Sequence, residues 1–364
     1  MKSTSRTDRT DHTDRPDQQD SPDQRHRPVR AMAAGQPARH RLPDGRWHPA
    51  EIVFWLVPVA VFFLLPDYLI LGSQILITGL FALSLDLILG YAGIVSLGHA
   101  AFFGLGAYTA GLLGAHGWGE PITGLLAAGG VAAIAGWLCS YLVVRGGDLT
   151  RLMVTLGIGL MLFEAANKAA FLTGGVDGLS GVTMGKVLGL FEFDLFGKTA
   201  YLYSLAVLFV IFVLARRLVA SPFGLSLRGV REGVRRMPAL GANVPRRLAA
   251  VFTVAAAIAG VAGGLLAQTT QFVGMDVLGF PRSAELLVML VLGGTGRLYG
   301  ALVGAALFMI AQDVLAGINP VYWQFWIGLL LVVMVLFAKG GVMGAVAALS
   351  ARAARRRERK EGDA

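Results

Sequence analysis

One cysteine in 364 residues, Cys139, excludes an intramolecular disulfide and any metal site built from several thiolates. It sits in the apolar run 122–144, where a lone thiol is a packing residue. The phosphate-loop pattern G-x-x-x-x-G-K-[ST] occurs nowhere, so any ATP hydrolysis on which the chain depends must come from another polypeptide. Charge is scarce, with 15% charged against 55% hydrophobic residues. The mean hydropathy is +0.62. That is more apolar surface than one soluble core can bury, and the apolar runs repeatedly approach the ~20 residues that cross a bilayer as helix. The composition is that of a polytopic membrane protein.

The net charge of +9 comes from loop arginines. No aromatic residues interleave with them in a nucleic-acid-reading pattern, so the expected partners are a bilayer and something cytoplasmic, not nucleic acid. Residues 1–50 form a separate zone in which Asp recurs every third residue among Arg, Pro, Gln and Ser. Such a segment is expected to be a disordered, polar cytoplasmic tail without a cleavable signal. Its four histidines, His12, His26, His40 and His48, are scattered, and no metal site is expected. Residues 51–340 form the membrane domain, and 341–364 a basic cytoplasmic tail ending in RRRERK and acidic residues.

Apolar runs bounded by Gly, Pro or charge place membrane helices near 52–66, 69–90, 98–116, 121–144, 152–172, 199–216, 248–268, 284–296, 298–316 and 321–338. The reading is therefore an all-α bundle with about ten crossings and Gly-broken segments. With both termini inside, Arg145, Arg151, the 216–247 segment, Arg297 and the last arginines are cytoplasmic, while the outer loops carry only Lys168, Lys186, Lys198 and Arg282.

Residues 221–247 are the one long basic stretch between apolar regions. Leu227, Val230, Val234 and Met237 recur at helical steps on one stripe, and Arg228, Arg231 and Arg235 on another. The first stripe is expected to dock on a soluble partner. Alternatively, the segment is a solvated loop that fixes topology, with Glu232 paired to Arg228 or Arg236. Two junctions share the pattern L-x-L-G-x-x-G, Leu87 to Gly93 and Leu290 to Gly296. Broken backbone at membrane depth points to a translocation route, with Gly90, Gly93, Ser96, Gly98, His99, Gly293 and Gly296 as candidates beside it. Close helix packing is the competing reading, and Gly260-x-x-x-Gly264 and Gly300-x-x-x-Gly304 are its plain examples. Among polar residues within apolar runs, His99 is placed nearest the route, or else on helix-end carbonyls. Asp86 and Asp313 are placed at the interface, Glu285 at a helix cap, and Glu164 toward the interior.

These residues carry a family resemblance. GYAGIVSLGHAAFFGLGAYTAGLL from Gly90 resembles the signature of branched-chain amino-acid ABC importer permeases, and LTGGVDGLSG from Leu172 resembles the mark of their M-type subunit. The stretch from Ser221 through residue 267 resembles the family's ATPase-coupling loop and following helix, and SAELLVMLVLGGTGRLYGALVGAAL its third conserved block. The resemblance implies a plasma (inner) membrane subunit that imports leucine, isoleucine or valine. Its implied partners are an H-type permease, two cytoplasmic ATPases that bind ATP and Mg, and an external solute-binding protein. It also implies that Arg231, Glu232, Ala239, Leu240 and Gly241 fall on the ATPase-coupling motif, joined by Val230 and Val234 on the docking face. Arg235-Arg236-Met237-Pro238 departs from the family's acidic and alanine residues, so the coupling helix is expected to stop near Met237 and restart at Pro238. The alternative substrate class is urea or short amides, handled by sister permeases.

A polytopic membrane enzyme is the other class. Ser96 and His99 lack the G-x-S-x-G elbow, and their i, i+3 spacing crowds nucleophile and base into one turn, so the expectation is no catalytic residue and no resident cofactor. A channel would leave the basic loop without a purpose.

Overall fold

A computed structural model describes residues 49–187, 191, 194, 197–337 and 340–344. The tail expected over 1–50 and the basic terminus therefore lie almost wholly outside the described residues. Twelve α-helices are described: α1 (Pro49–Leu64), α2 (Leu69–Asp86), α3 (Ala100–Ala115), α4 (Pro121–Val143), α5 (Asp148–Lys168), a four-residue α6 (Ala170–Thr173), α7 (Lys198–Ala220), α8 (Pro222–Gly233), α9 (Val244–Thr270), α10 (Phe280–Gly293), α11 (Leu298–Ile318) and α12 (Trp323–Phe337). The described residues contain no sheet, only two isolated bridges.

Helix starts follow local chemistry. Pro121 opens α4 and Pro222 opens α8, where a missing N–H costs nothing. Ser221 caps α8 by accepting the Gly224 N–H, and Asn243 caps α9 by accepting the Arg246 N–H at 3.2 Å. Each expected membrane helix has a counterpart, with ends shifted by a few residues. Six are long and apolar enough to cross a membrane: α2 with its flanking turns, α4, α5, α7, α9 and α11. α1 and α3 are apolar but shorter.

α2, α3 and α9 form the heart of the bundle, where Phe81, Phe102, Phe103 and Phe252 are fully buried. α9 packs against α4 in antiparallel fashion. Gln268 near its C-terminal end donates to the Pro121 carbonyl at 2.7 Å, while Gly136 far along α4 faces Ala256. Glycine sets this spacing: a Cβ on Gly260 would overlap Ala132, and one on Gly264 would lie 2.9 Å from Ala128. A Cβ on Gly304 would strike the Met289 carbonyl of α10. Both GxxxG pairs are thus close-packing surfaces. By contrast α5 buries only Thr155 and Gly159, and the outer face of α4 exposes Leu126, Ile134, Leu138 and Leu142.

The two ends of α9 separate the molecule's loops. Its first turn is tied to α8 by Arg247, which donates to Ser226 Oγ. Beyond its last turn, Val273 and Leu179 exchange backbone hydrogen bonds of 2.9 and 3.1 Å, which anchors the loop after Gly174. A helix of 27 residues sets these ends about 40 Å apart.

α8 departs from expectation. It ends at Gly233, four residues before Met237, and a tight turn leads to a 3-10 turn at Pro238–Leu240. Gly233 is a poor helix former and Pro238 supplies no N–H, so the helix has little to gain by continuing. Glu232 forms no ion pair among the described residues, and Arg228 instead lies 5.3 Å from the centre of the Tyr91 ring.

Candidate coupling site at two glycine junctions

After Asp86 the chain winds a π-helical turn, Leu87–Tyr91, then leaves helical geometry until α3 begins. Gly93 takes a φ of +74°, which glycine alone adopts without strain. The freed backbone is satisfied by protein groups: Leu97 N–H donates to Thr155 Oγ1 of α5 at 3.2 Å, and Ala100 N–H to Ser283 Oγ of α10 at 2.9 Å. Gly98 presses so closely on α5 that a Cβ would overlap the Thr155 carbonyl. A crevice of about 10 Å³ remains beside Leu97, Gly98 and Ser283, room for no more than about one water.

The second junction is a tight turn, with Gly294 and Gly296 at φ +104° and +79°. Gly296 N–H donates to Asp86 Oδ1 at 2.7 Å. A Cβ on Gly90 would lie 2.5 Å from the Gly296 nitrogen, so the two junctions touch backbone to backbone. Gly293 faces α11, where the Gly300 carbonyl and Gly304 nitrogen leave no room for a side chain.

Arg231 of α8 joins them. Its guanidinium donates to the Gly90 carbonyl, a Cβ on Gly296 would lie 3.0 Å from Arg231 Nη1, and a Cβ on Gly93 would lie 3.1 Å from Arg231 Cγ. A residue expected to face a soluble partner thus stays exposed while its guanidinium reaches back to the Gly90 carbonyl. Val230 does need a correction: with Leu227 it is fully buried within the chain, so it offers no docking face. An amphipathic pattern shows that a stripe is covered but not by what, and here the membrane domain covers it. The outward features are Val234, 45% exposed, Leu240, 78% exposed, and Ala239. Gly241 closes their turn at φ +77° with open space around its Cα.

The remaining candidates scatter. His99 is fully buried, stacked on Phe81, with Nε2 2.9 Å from Ser84 Oγ. Since Ser84 donates its own proton to the Phe81 carbonyl at 2.6 Å, it accepts from His99 Nε2–H. The His99 ring is thus enclosed by protein and bonded to a hydroxyl, not to helix-end carbonyls. Ser96 Oγ is buried without a partner, so no Ser–His pair forms. Asp86 is fully buried at the second junction and does not reach an interface. Glu285 accepts from Arg282 at 3.3 Å in place of capping α10. Thr155, Gly159 and Ser283 escaped the sequence reading, although Thr155-x-x-x-Gly159 is a small-residue pair of the kind that marks close packing.

Residues 68–351 match the family described as branched-chain amino acid transport system / permease component. The chain belongs to this family. Permease protein LivM of the high-affinity branched-chain amino acid transport system of Escherichia coli K12 is 30% identical over 284 residues, covering 72% of this chain and 66% of its own length. LivM of Salmonella typhimurium LT2 is 29% identical over 296 residues, covering 75% of this chain and 69% of its own. LivH of Escherichia coli K12 is 25% identical over 284 residues, covering 73% of this chain and 90% of its own. The chain thus spans about two thirds of the LivM relatives it matches. No solved structure matches it. Family and apolar helices together make this permease a multi-pass membrane protein and a transporter subunit, not an enzyme.

Proposed function

We propose that this permease is the M-type membrane subunit of an ATP-driven importer that carries leucine, isoleucine and valine inward across the plasma membrane. Ten crossings, α1 to α5, α7 and α9 to α12, alternate in direction and leave α8 and both termini in the cytoplasm. The arginines around α8, against the few cations beyond the far end of α9, support that orientation. The almost unburied α5 takes the second, H-type permease, and the solute-binding protein docks at the end bearing the Leu179–Val273 bridge. ATP and Mg belong to two partner ATPases.

The observation that carries the proposal is that the segment from α8 to Gly241 is two-faced. Val234, Ala239 and Leu240, beyond the end of α8, are exposed beside the Gly241 turn, while Arg231 in the last turn of α8 bonds to Gly90. An ATPase that pushes the exposed turn moves the junction where α2 unwinds, and the route past Gly93, Gly98 and Ser283 opens or closes.

Val234→Asp with Leu240→Asp tests this. Two unpaired charges in a contact that buries apolar surface cost of the order of several kcal/mol. The variant is expected to insert normally, to lose its ATPases on co-purification and to take up no labelled leucine. Retained ATPases with full uptake would overturn the coupling role. Uptake of urea but not leucine by the native complex would overturn the substrate.

A further inference from the structure

A groove of about 610 Å³ lies between the α8-side halves of α4 and α9. One wall is Trp137, Tyr141 and Arg145, which recur at four-residue steps and so share one face. The two rings meet edge to face at 6.2 Å, and the Arg145 guanidinium carbon lies 6.0 Å from the centre of the Tyr141 ring. The facing wall is Arg246 in the first turn of α9, followed by Ala250 and Val254. No carboxylate lines the groove, and neither Arg145 nor Arg246 forms an ion pair among the described residues. Two guanidinium groups thus stand at the interfacial end of an apolar slot walled by aromatics, on a face that otherwise exposes Leu138 and Leu142.

We propose that this groove binds one anionic glycerophospholipid of the α8-side leaflet. Guanidinium forks match the non-bridging oxygens of a phosphodiester and attract net negative charge. Tryptophan and tyrosine sit at headgroup depth, where their amphipathic rings are favoured. The Ala250 and Val254 wall accepts an acyl chain. Charge decides against the other occupants. A protein partner would have to bring two buried carboxylates to neutralise the arginines, and free phosphate would leave the apolar wall uncovered.

The test is titration of the full chain in detergent with dioleoyl phosphatidylglycerol and, separately, dioleoyl phosphatidylcholine, followed by native mass spectrometry. Each arginine at a membrane surface contributes about a factor of five, so phosphatidylglycerol is expected to bind about 30-fold more tightly than phosphatidylcholine, with one copy saturating first. Arg145→Gln with Arg246→Gln, both exposed positions, is expected to erase the difference. Phosphatidylglycerol brominated on its acyl chains is expected to quench tryptophan emission less in Trp137→Phe than in the native chain. Equal affinity for the two lipids in the native chain overturns the proposal, whether or not the variant folds. Displacement by millimolar inorganic phosphate makes it a phosphate site, and a photo-crosslinker at Tyr141 that captures a protein subunit in place of lipid makes it an interface.

Discussion

The same seven-residue pattern, L-x-L-G-x-x-G, ends α2 and α10 with opposite results. From Gly93 the backbone stays out of helix until Ala100, held by hydroxyl groups from α5 and α10. After Gly293 the chain turns at once into α11, sealed by glycine backbones at Gly300, Gly304, Gly340 and Gly341. The first junction rests on two hydroxyl hydrogen bonds besides the main-chain contact at Gly98, whereas around the second glycine main chain predominates. Sites that must change shape are drawn from weakly held segments, and a hydroxyl hydrogen bond can exchange partners where a glycine–glycine contact cannot. In the coupling proposed above, the first junction is the moving part and the second its fixed anvil, and Arg231 and Asp86 bridge the two.

The strongest way to break the comparison is Gly90→Val, since the added atoms must occupy space held by the Gly296 backbone. Main chain cannot swing aside, so a stability loss of at least about 3 kcal/mol is expected. Thermal unfolding in detergent measures it, and an unchanged midpoint would mean that the junctions do not touch. Thr155→Val with Ser283→Ala acts on the first junction alone. Each leaves a buried N–H unmade at about 1–3 kcal/mol. Leucine uptake is expected to fall while the ATPases remain bound, and normal uptake would deny the first junction its moving role. Arg231→Gln has the smallest expected effect on stability, about 1 kcal/mol or less, because the residue is exposed. Its signature is uncoupling: ATP hydrolysed per leucine imported is expected to rise, and an unchanged ratio would reduce Arg231 to a tether.

Where each reading succeeded follows from the range of the interaction it relied on. The apolar runs located the six helices long and apolar enough to cross a membrane, because a backbone in hydrocarbon must satisfy itself within its own segment. Gly241 was legible as a turn for a similar reason, since its positive φ is a local demand that the flanking chain imposes. The burial of Val230 and the reach of the Arg231 guanidinium to Gly90 were not legible. Periodicity gives the direction of a stripe relative to its own helix axis, whereas the partner of that stripe is set by how α8 lies against α9 and the α2 end. Asp86 failed as an interfacial residue because its partner, the Gly296 N–H, is 210 residues distant. His99 was recognised as unusual, yet Ser84 as its partner depends on the packing of α2 against the unwound segment.

By itself the sequence determined an all-α membrane protein, the approximate positions of its helices and the breaks near Gly93 and Gly293, properties set by hydropathy and local backbone geometry, while its permease character came from the resemblance to a family. Only the tertiary structure decided that the two breaks meet, that Arg231 spans them, and that the outward face of the α8 segment is Val234 and Leu240 and not Val230. Those facts arise from close approach between segments that are not adjacent in sequence, where glycine permits contact but does not name the partner.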